Sequence, residues 1–211
     1  MEREKTFSKL TFMLHLEIHP ETPQARHIKT IADKLRHDAL LLYPTDSGYA
    51  ICCSAASPKA INKLYALKKP LKKAFMAILL PDISKATDYA RINNFAFQIL
   101  KTYTPGPYTF ILPADPQIAR KLYVNRPEIG IRISPGVFVK ALFEEFDEPL
   151  LSTAAKIEES QAFTTPEELL PVFQHKVDVF ANMGEVFISP TNVISLINNE
   201  IEVIRGEFPA P

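Results

Sequence analysis

From Leu14 to Arg205, short apolar runs alternate with stretches of helical period, and this alternation constrains the chain to an α/β fold built on a sheet. Leu14, Leu16 and Ile18 alternate with His15, Glu17 and His19, the period of a strand with one buried face. Thr22 and Pro23 read as a cap and first helical position, and Ile28, Ile31, Ala32 and Leu35 then recur at helical spacing up to His37. Residues 39–43 form a continuous apolar run expected as a strand buried on both faces, and 51–53 a further short strand after a polar turn. Ser57 and Pro58 open a second helix through Ile61, Leu64 and Tyr65. The same grammar predicts strands over 76–80, 108–112, 129–133 and 150–153, a helix through Phe95, Ala96, Ile99 and Leu100, and another over 137–146. Thr165, Pro166 and Glu168 form a capping-box helix start. Strands over 193–197 and 201–205 are separated by Asn198 and Asn199, which is hairpin chemistry. A mixed sheet follows, parallel where helices intervene and antiparallel at the closing hairpin. With no repeat or linker in view, 1–211 is expected to be one domain.

Composition narrows the class. With 46% hydrophobic and 23% charged residues the chain has what a packed core needs. Lys+Arg and Asp+Glu both number 24, so any affinity for nucleic acid must come from where the charges lie. Cys52 and Cys53 are adjacent in an apolar run, unsuited to a disulfide framework and too few for a structural zinc site, and a reducing cytoplasm is the expected location. No apolar run approaches the roughly 18 residues of a membrane span, so no membrane partner is expected. Six glycines against 18 prolines, with neither GxGxxG nor GxxxxGK[ST], imply that a bound nucleotide is held by side chains rather than by a glycine-rich loop.

Four stretches carry chemistry. YPTDSGYA, residues 43–50, places small polar groups after a buried strand, where α/β proteins bind ligands. KKPLKK gathers Lys68, Lys69, Lys72 and Lys73 after a helix, where the dipole alone favours cations. TPGPYTFIL joins a rigid turn to a strand. IGIRI sets Arg132 among apolar neighbours, so it needs an anionic partner, either a structural carboxylate or a ligand's carboxylate or phosphate. Strand parity puts Arg132 with Gly130 and Ser134, opposite Ile131 and Ile133. It is expected to point into a solvent-accessible cavity facing Ser47 and Thr153, rather than to pair with a carboxylate on the outside of the sheet. His15, Glu17 and His19 share a strand face that reads as exposed, and no metal site is expected.

The order of PTDSGYA, the lysine-ended helix, TPGPYTFIL, IGIRI, EPLLSTAA, SPTNVISL and VIRGE resembles the YrdC and YciO family, most strongly over 39–206. The wording PTDSGYA is closer to the YciO branch than to the synthase branch. The resemblance implies a twisted open mixed sheet with helices around it and a concave, positively charged face that binds nucleotide and double-stranded RNA or tRNA. In the synthase branch it implies formation of L-threonylcarbamoyladenylate from threonine, bicarbonate and ATP, usually with Mg2+, for a modified tRNA adenosine.

Carried over by residue, Lys68 matches the first lysine of the family's KxR element, but Pro70 stands at the arginine. The SxN element falls on Ala154 and Lys156, and STxxD appears as Thr191, Asn192 and Ser195 without its carboxylate. Arg132 and Arg205 are kept, and Ser47 stands where the synthases have a threonine. The implied phosphate set is Lys68, Lys72, Lys73, Thr191 and Arg205. The implied amino-acid set is Ser47, Arg132 and Thr153, and the implied RNA set is Lys68, Lys69, Lys72 and Lys73. Cations outlast the groups that orient threonine, so the resemblance implies a nucleotide- or RNA-binding protein of the YciO type with weak or no synthase activity. The alternative is an active synthase rebuilt around Lys68, Lys72, Lys73 and Lys156.

Overall fold

A computed structural model describes residues 13–69, 76–117, 127–158, 163–187 and 189–209. Its strands are Leu14–Glu17 (β1), Leu41–Thr45 (β2), Gly48–Ser54 (β3), Ala77–Leu79 (β4), Tyr108–Pro113 (β5), Glu128–Arg132 (β6), Leu150–Ala154 (β7), Val179–Asn182 (β8), Asn192–Ser195 (β9) and Glu202–Arg205 (β10). The α-helices are Ala25–Arg36 (α1), Pro58–Lys68 (α2), Asn94–Tyr103 (α3), Val137–Glu145 (α4) and Pro166–Phe173 (α5). The strands make one open mixed sheet in the order β1-β8-β2-β3-β7-β4-β6-β5-β9-β10. Pairing is parallel for β1/β8, β2/β8, β4/β6 and β5/β9 and antiparallel elsewhere.

Each sheet face buries its own core. On one, Ile51, Ile78, Ile131 and Leu151 pack with Ile61 and Leu64 of α2, Leu100 of α3 and Phe173 of α5. On the other, Leu41, Tyr43, Cys52, Leu79 and Leu150 pack beneath Ile31 and Leu35 of α1 and Phe138 and Leu142 of α4. Residues paired across strands share a face. The second cluster contains nothing from β5, β6, β9 or β10, so the α1/α4 cover ends before that part of the sheet.

Several elements depart from the sequence reading. α1 begins at Ala25 rather than at Pro23, because the Thr22 hydroxyl and N–H both engage His19 Nδ1, at 2.9 and 3.1 Å, in the preceding turn. β3 is seven residues long instead of three: Thr45 pairs with Gly48, so Asp46 and Ser47 are the tip of a tight β2/β3 hairpin. Gly48 has φ +112, a conformation that glycine adopts without a Cβ penalty. β8, a strand that no alternation in the sequence marks, lies between β1 and β2. The closing hairpin forms as expected, with Asn198 and Asn199 both at positive φ. The α5 start is held by the Glu168 carboxylate, which accepts from the Thr164 N–H at 2.8 Å and the Thr165 N–H at 3.3 Å. Cys52 and Cys53 are buried free thiols, one in each core, and burial pushes the Cys53 pKa up to about 12. No helix among the described residues is long and apolar enough to cross a membrane.

Candidate ligand-binding site

Where the α1/α4 cover ends, strand parity brings polar side chains from four segments together. Arg132 pairs with Leu79 and lies on the α1/α4 face of the sheet. Arg205 of β10 pairs with Val193 of β9, which pairs with Thr109, and the same alternation sets Thr191 and Arg205 on that face. The β2/β3 hairpin adds Asp46 and Ser47 from above.

The contacts converge on Arg132, which is 8% exposed. Its Nη1 donates to Thr191 Oγ1, and its Nη2 donates to Asp46 Oδ1 at 2.7 Å and to Ser47 Oγ at 3.4 Å. Ser134 Oγ donates to the same Asp46 oxygen at 2.9 Å. Arg205 donates from Nε and Nη2 to the Thr191 carbonyl, at 3.0 and 2.8 Å. Thr191 thus holds one arginine through its hydroxyl and the other through its main chain. Burial, and then the nearby Arg132 charge, lower the Arg205 pKa. The hairpin tip is braced by Thr45, whose hydroxyl donates to the Gly48 carbonyl at 2.7 Å and accepts the Ser47 N–H at 3.1 Å. Beneath it, Tyr43 Oη and Ser152 Oγ share a 2.7 Å hydrogen bond, and burial raises the Tyr43 pKa well above its ordinary range.

Two expectations for Arg132 change here. It does face Ser47, but it is paired with a carboxylate, that of Asp46, because the hairpin folds Asp46 over the end of β6. It does not face Thr153. That residue pairs with Ile51 and lies on the opposite face of the sheet, and Ser152 and Ala154 occupy the Arg132 side. Ala154 is exposed there and has no hydroxyl to offer.

Lys68, named above for phosphate and RNA binding, is buried. It is 2% exposed, and its ammonium donates to the main-chain carbonyls of Ala154 and Lys156. Desolvation, and then the Lys156 charge, lower its pKa to about 8. The end of α2 is thereby tied to the loop after β7. Lys69 is exposed, and Lys72 and Lys73 lie outside the described residues. Among the described residues no group of three His, Cys, Asp or Glu side chains could hold a metal ion, and the His15 and Glu17 pair stands on an exposed strand face.

Asp46 is the site residue that sequence reasoning left unassigned. The signal was present in two halves: a buried arginine in need of an anion, and one carboxylate within the PTDSGYA loop.

The comparisons agree with this architecture. A family model named for Sua5, YciO and YrdC, and described as telomere recombination, matches residues 33–206. An uncharacterized protein of Haemophilus influenzae is 34% identical over 191 residues, covering 89% of this chain and 92% of the relative. The crystal structure of Escherichia coli YciO superposes with a TM-score of 0.84 at 31% identity, covering 92% of this chain and 95% of that one. P. abyssi Sua5 complexed with L-threonine superposes with a TM-score of 0.83 at 19% identity, covering 92% of this chain and 57% of that one, and so shares the fold. A match to most of the chain by the family model, and a third of aligned positions identical to a relative covered over 92% of its length, lead to one conclusion: this chain belongs to the Sua5/YciO/YrdC family.

Proposed function

We propose that this protein is a YciO-type nucleotide-binding protein with little or no L-threonylcarbamoyladenylate synthase activity. Formation of that adenylate requires a carbamate oxygen to attack the α-phosphorus of ATP as pyrophosphate leaves, so catalysis rests on fixed cations that neutralise the phosphates and hold the attack in line. The observation that carries the reading is Lys68. Its ammonium is engaged by the carbonyls of Ala154 and Lys156, the two residues standing where the family has Ser and Asn, and Pro70 stands where it has Arg. Arg132 and Arg205 are then the cations for an anionic ligand, with Ser47 and Thr191 as hydroxyl partners. Mg2+ enters with the nucleotide as its phosphate counter-ion.

Calorimetric titration with ATP, with and without L-threonine, tests this. ATP binding that is indifferent to threonine, with pyrophosphate release at least about 100-fold below ordinary enzyme rates, is the expected result. Threonine-dependent turnover near one per second identifies a synthase, and absence of ATP binding leaves only a scaffold for protein contacts.

The exposed Lys69, with Lys72 and Lys73, supports double-stranded RNA as a second ligand held through its phosphate backbone. Affinity then falls steeply with salt, and changing Lys72 and Lys73 together to Ala flattens that slope. An unchanged slope in the folded double variant places RNA elsewhere.

A further inference from the structure

The chain leaves β8 at Asn182 and enters β9 at Asn192, and in the sheet order β8-β2-β3-β7-β4-β6-β5-β9 seven interstrand spacings lie between the two. At about 4.8 Å each the spacings amount to roughly 33 Å along the sheet, and ten residues reach at most about 36 Å. The connection therefore runs directly, and where it is pinned decides where it arrives. Its start is pinned by Tyr49, whose hydroxyl donates to the Gly184 carbonyl at 2.7 Å and accepts the Met183 N–H at 3.3 Å. Asn182 holds the same turn: its Oδ1 accepts the Gly184 N–H at 2.8 Å, and its Nδ2 donates to Glu17 Oε1 at 2.9 Å. Gly184 makes the turn at φ +76, where a Cβ would meet nothing within 4 Å, so the backbone angle and not the space calls for glycine.

Tyr49 sits in the core beneath α2, α3 and α5, on the face of the sheet away from Arg132. It nevertheless bears on both flanks of that arginine. Its neighbour in sequence is Gly48, which closes the hairpin that presents Asp46 and Ser47. Through Gly184 it also holds the root of the connection that ends in Thr191, whose hydroxyl meets Arg132 Nη1. We propose that Tyr49 is a positioning residue for the ligand site: its hydroxyl clamps the connection between β8 and β9 to the base of the hairpin, and so sets Thr191 against Arg132 in step with Asp46 and Ser47. This rests on the reading of the Arg132 cluster as a ligand site. Tyr49 touches no ligand in this role. The Glu17–Asn182 pair serves it by fixing which way the Asn182 amide faces: a carboxylate only accepts and an N–H only donates, so Oδ1 is left for Gly184.

Calorimetric titration with ATP and hydrogen exchange of the ligand-free full chain test the clamp together. Tyr49→Phe keeps the ring that packs edge-on to Phe180, with centroids 5.6 Å apart, and removes the hydroxyl alone. In that variant ATP is expected to bind about 5- to 10-fold more weakly, and the amides of residues 191–193 to exchange faster by a similar factor, while those of α1 and α4 keep their rates. Glu17→Ala, which leaves Tyr49 in place, should shift both readouts in the same direction by about twofold. A tyrosine with a merely structural role lowers the melting temperature and leaves the ATP affinity of the folded protein alone. Unchanged exchange at 191–193 in folded Tyr49→Phe overturns the proposal, and so does quickening spread evenly over the molecule. Where Tyr49→Phe does not fold, Glu17→Ala decides by the same readouts. Arg132→Gln separates the clamp from the reading it rests on. If ATP binding is absent or indifferent to Arg132, that reading fails, while faster exchange at 191–193 still upholds the placing of Thr191. If ATP binding depends on Arg132 and is unaltered in Tyr49→Phe, the ligand site stands and the positioning role falls.

Discussion

Arg132 and Asp46 are 86 residues apart in sequence and joined only by the fold, and that sets what replacing either one does. Arg132→Ala strands a mostly buried carboxylate, which costs about 3 to 5 kcal/mol in comparable pairs. The double change of Arg132 and Asp46 to Ala should cost clearly less than Arg132→Ala alone, a comparison that urea denaturation of the three variants makes directly. Lys68 gives the residue-scale pH dependence. Its pKa is about 8 in the folded chain against 10.5 in the open one, so between those values the unfolded state binds more protons and wild-type stability rises with pH. Lys68→Met lacks that rise. Melts from pH 7.5 to 10 should therefore show the stability difference moving in favour of wild type, and a parallel pair of curves would contradict the buried placement of the ammonium.

Elements were legible wherever a local rule decided them. The capping chemistry at Ser57 and Pro58 predicts where α2 starts, and Ser57 Oγ does accept the Ala60 N–H at 3.0 Å. It also donates to Asp38 at 2.5 Å, linking the start of α2 to the turn that ends α1. Ser57→Ala should cost about 1 kcal/mol of stability, read from the urea midpoint at unchanged slope. Thr22 misled because its hydroxyl serves His19 rather than a helix N-terminus, and no local pattern separates the two uses. β8 escaped notice for a different reason. Val179, Phe180, Ala181 and Asn182 are buried on both faces, so a four-residue strand showed neither alternation nor length. The polar cluster around Arg132 was half legible. Arg132, Arg205, Thr191 and Ser47 were named, but which residue of STAA turns toward Arg132 depends on the register of β7 against β4 and β3, and Thr153 lost that place to its neighbours.

At the scale of the whole molecule, the described strands form a sheet that ends at β1 and β10, and the chain fastens the second from outside. Beyond β10, Gly206 turns at φ +79, where a Cβ would fall 2.0 Å from Asn192 Oδ1, and the Glu207 N–H donates to that same oxygen at 2.8 Å. Phe208 then packs among Tyr103, Tyr108 and Phe110, with ring centroids at 4.6, 5.6 and 6.4 Å. Phe208→Ala should remove about 1.5 to 3 kcal/mol. Because this clasp bears on Asn192, next to Thr191, hydrogen exchange of β9 and β10 should quicken more than that of β2 and β3, and uniform quickening would argue against a local clasp.

The placement of β8 between β1 and β2 also fixes an order of events during synthesis. Among the described residues β1 pairs with β8 and with no other strand, so it waits without that partner until residues 179–182 follow some 165 positions later. Contacts so far apart in sequence are slow to close. The growing chain thus carries an open β2 edge from the emergence of β2 until that of β8, which makes residues 179–182 the ones that end its exposure to stray pairing and to chaperones.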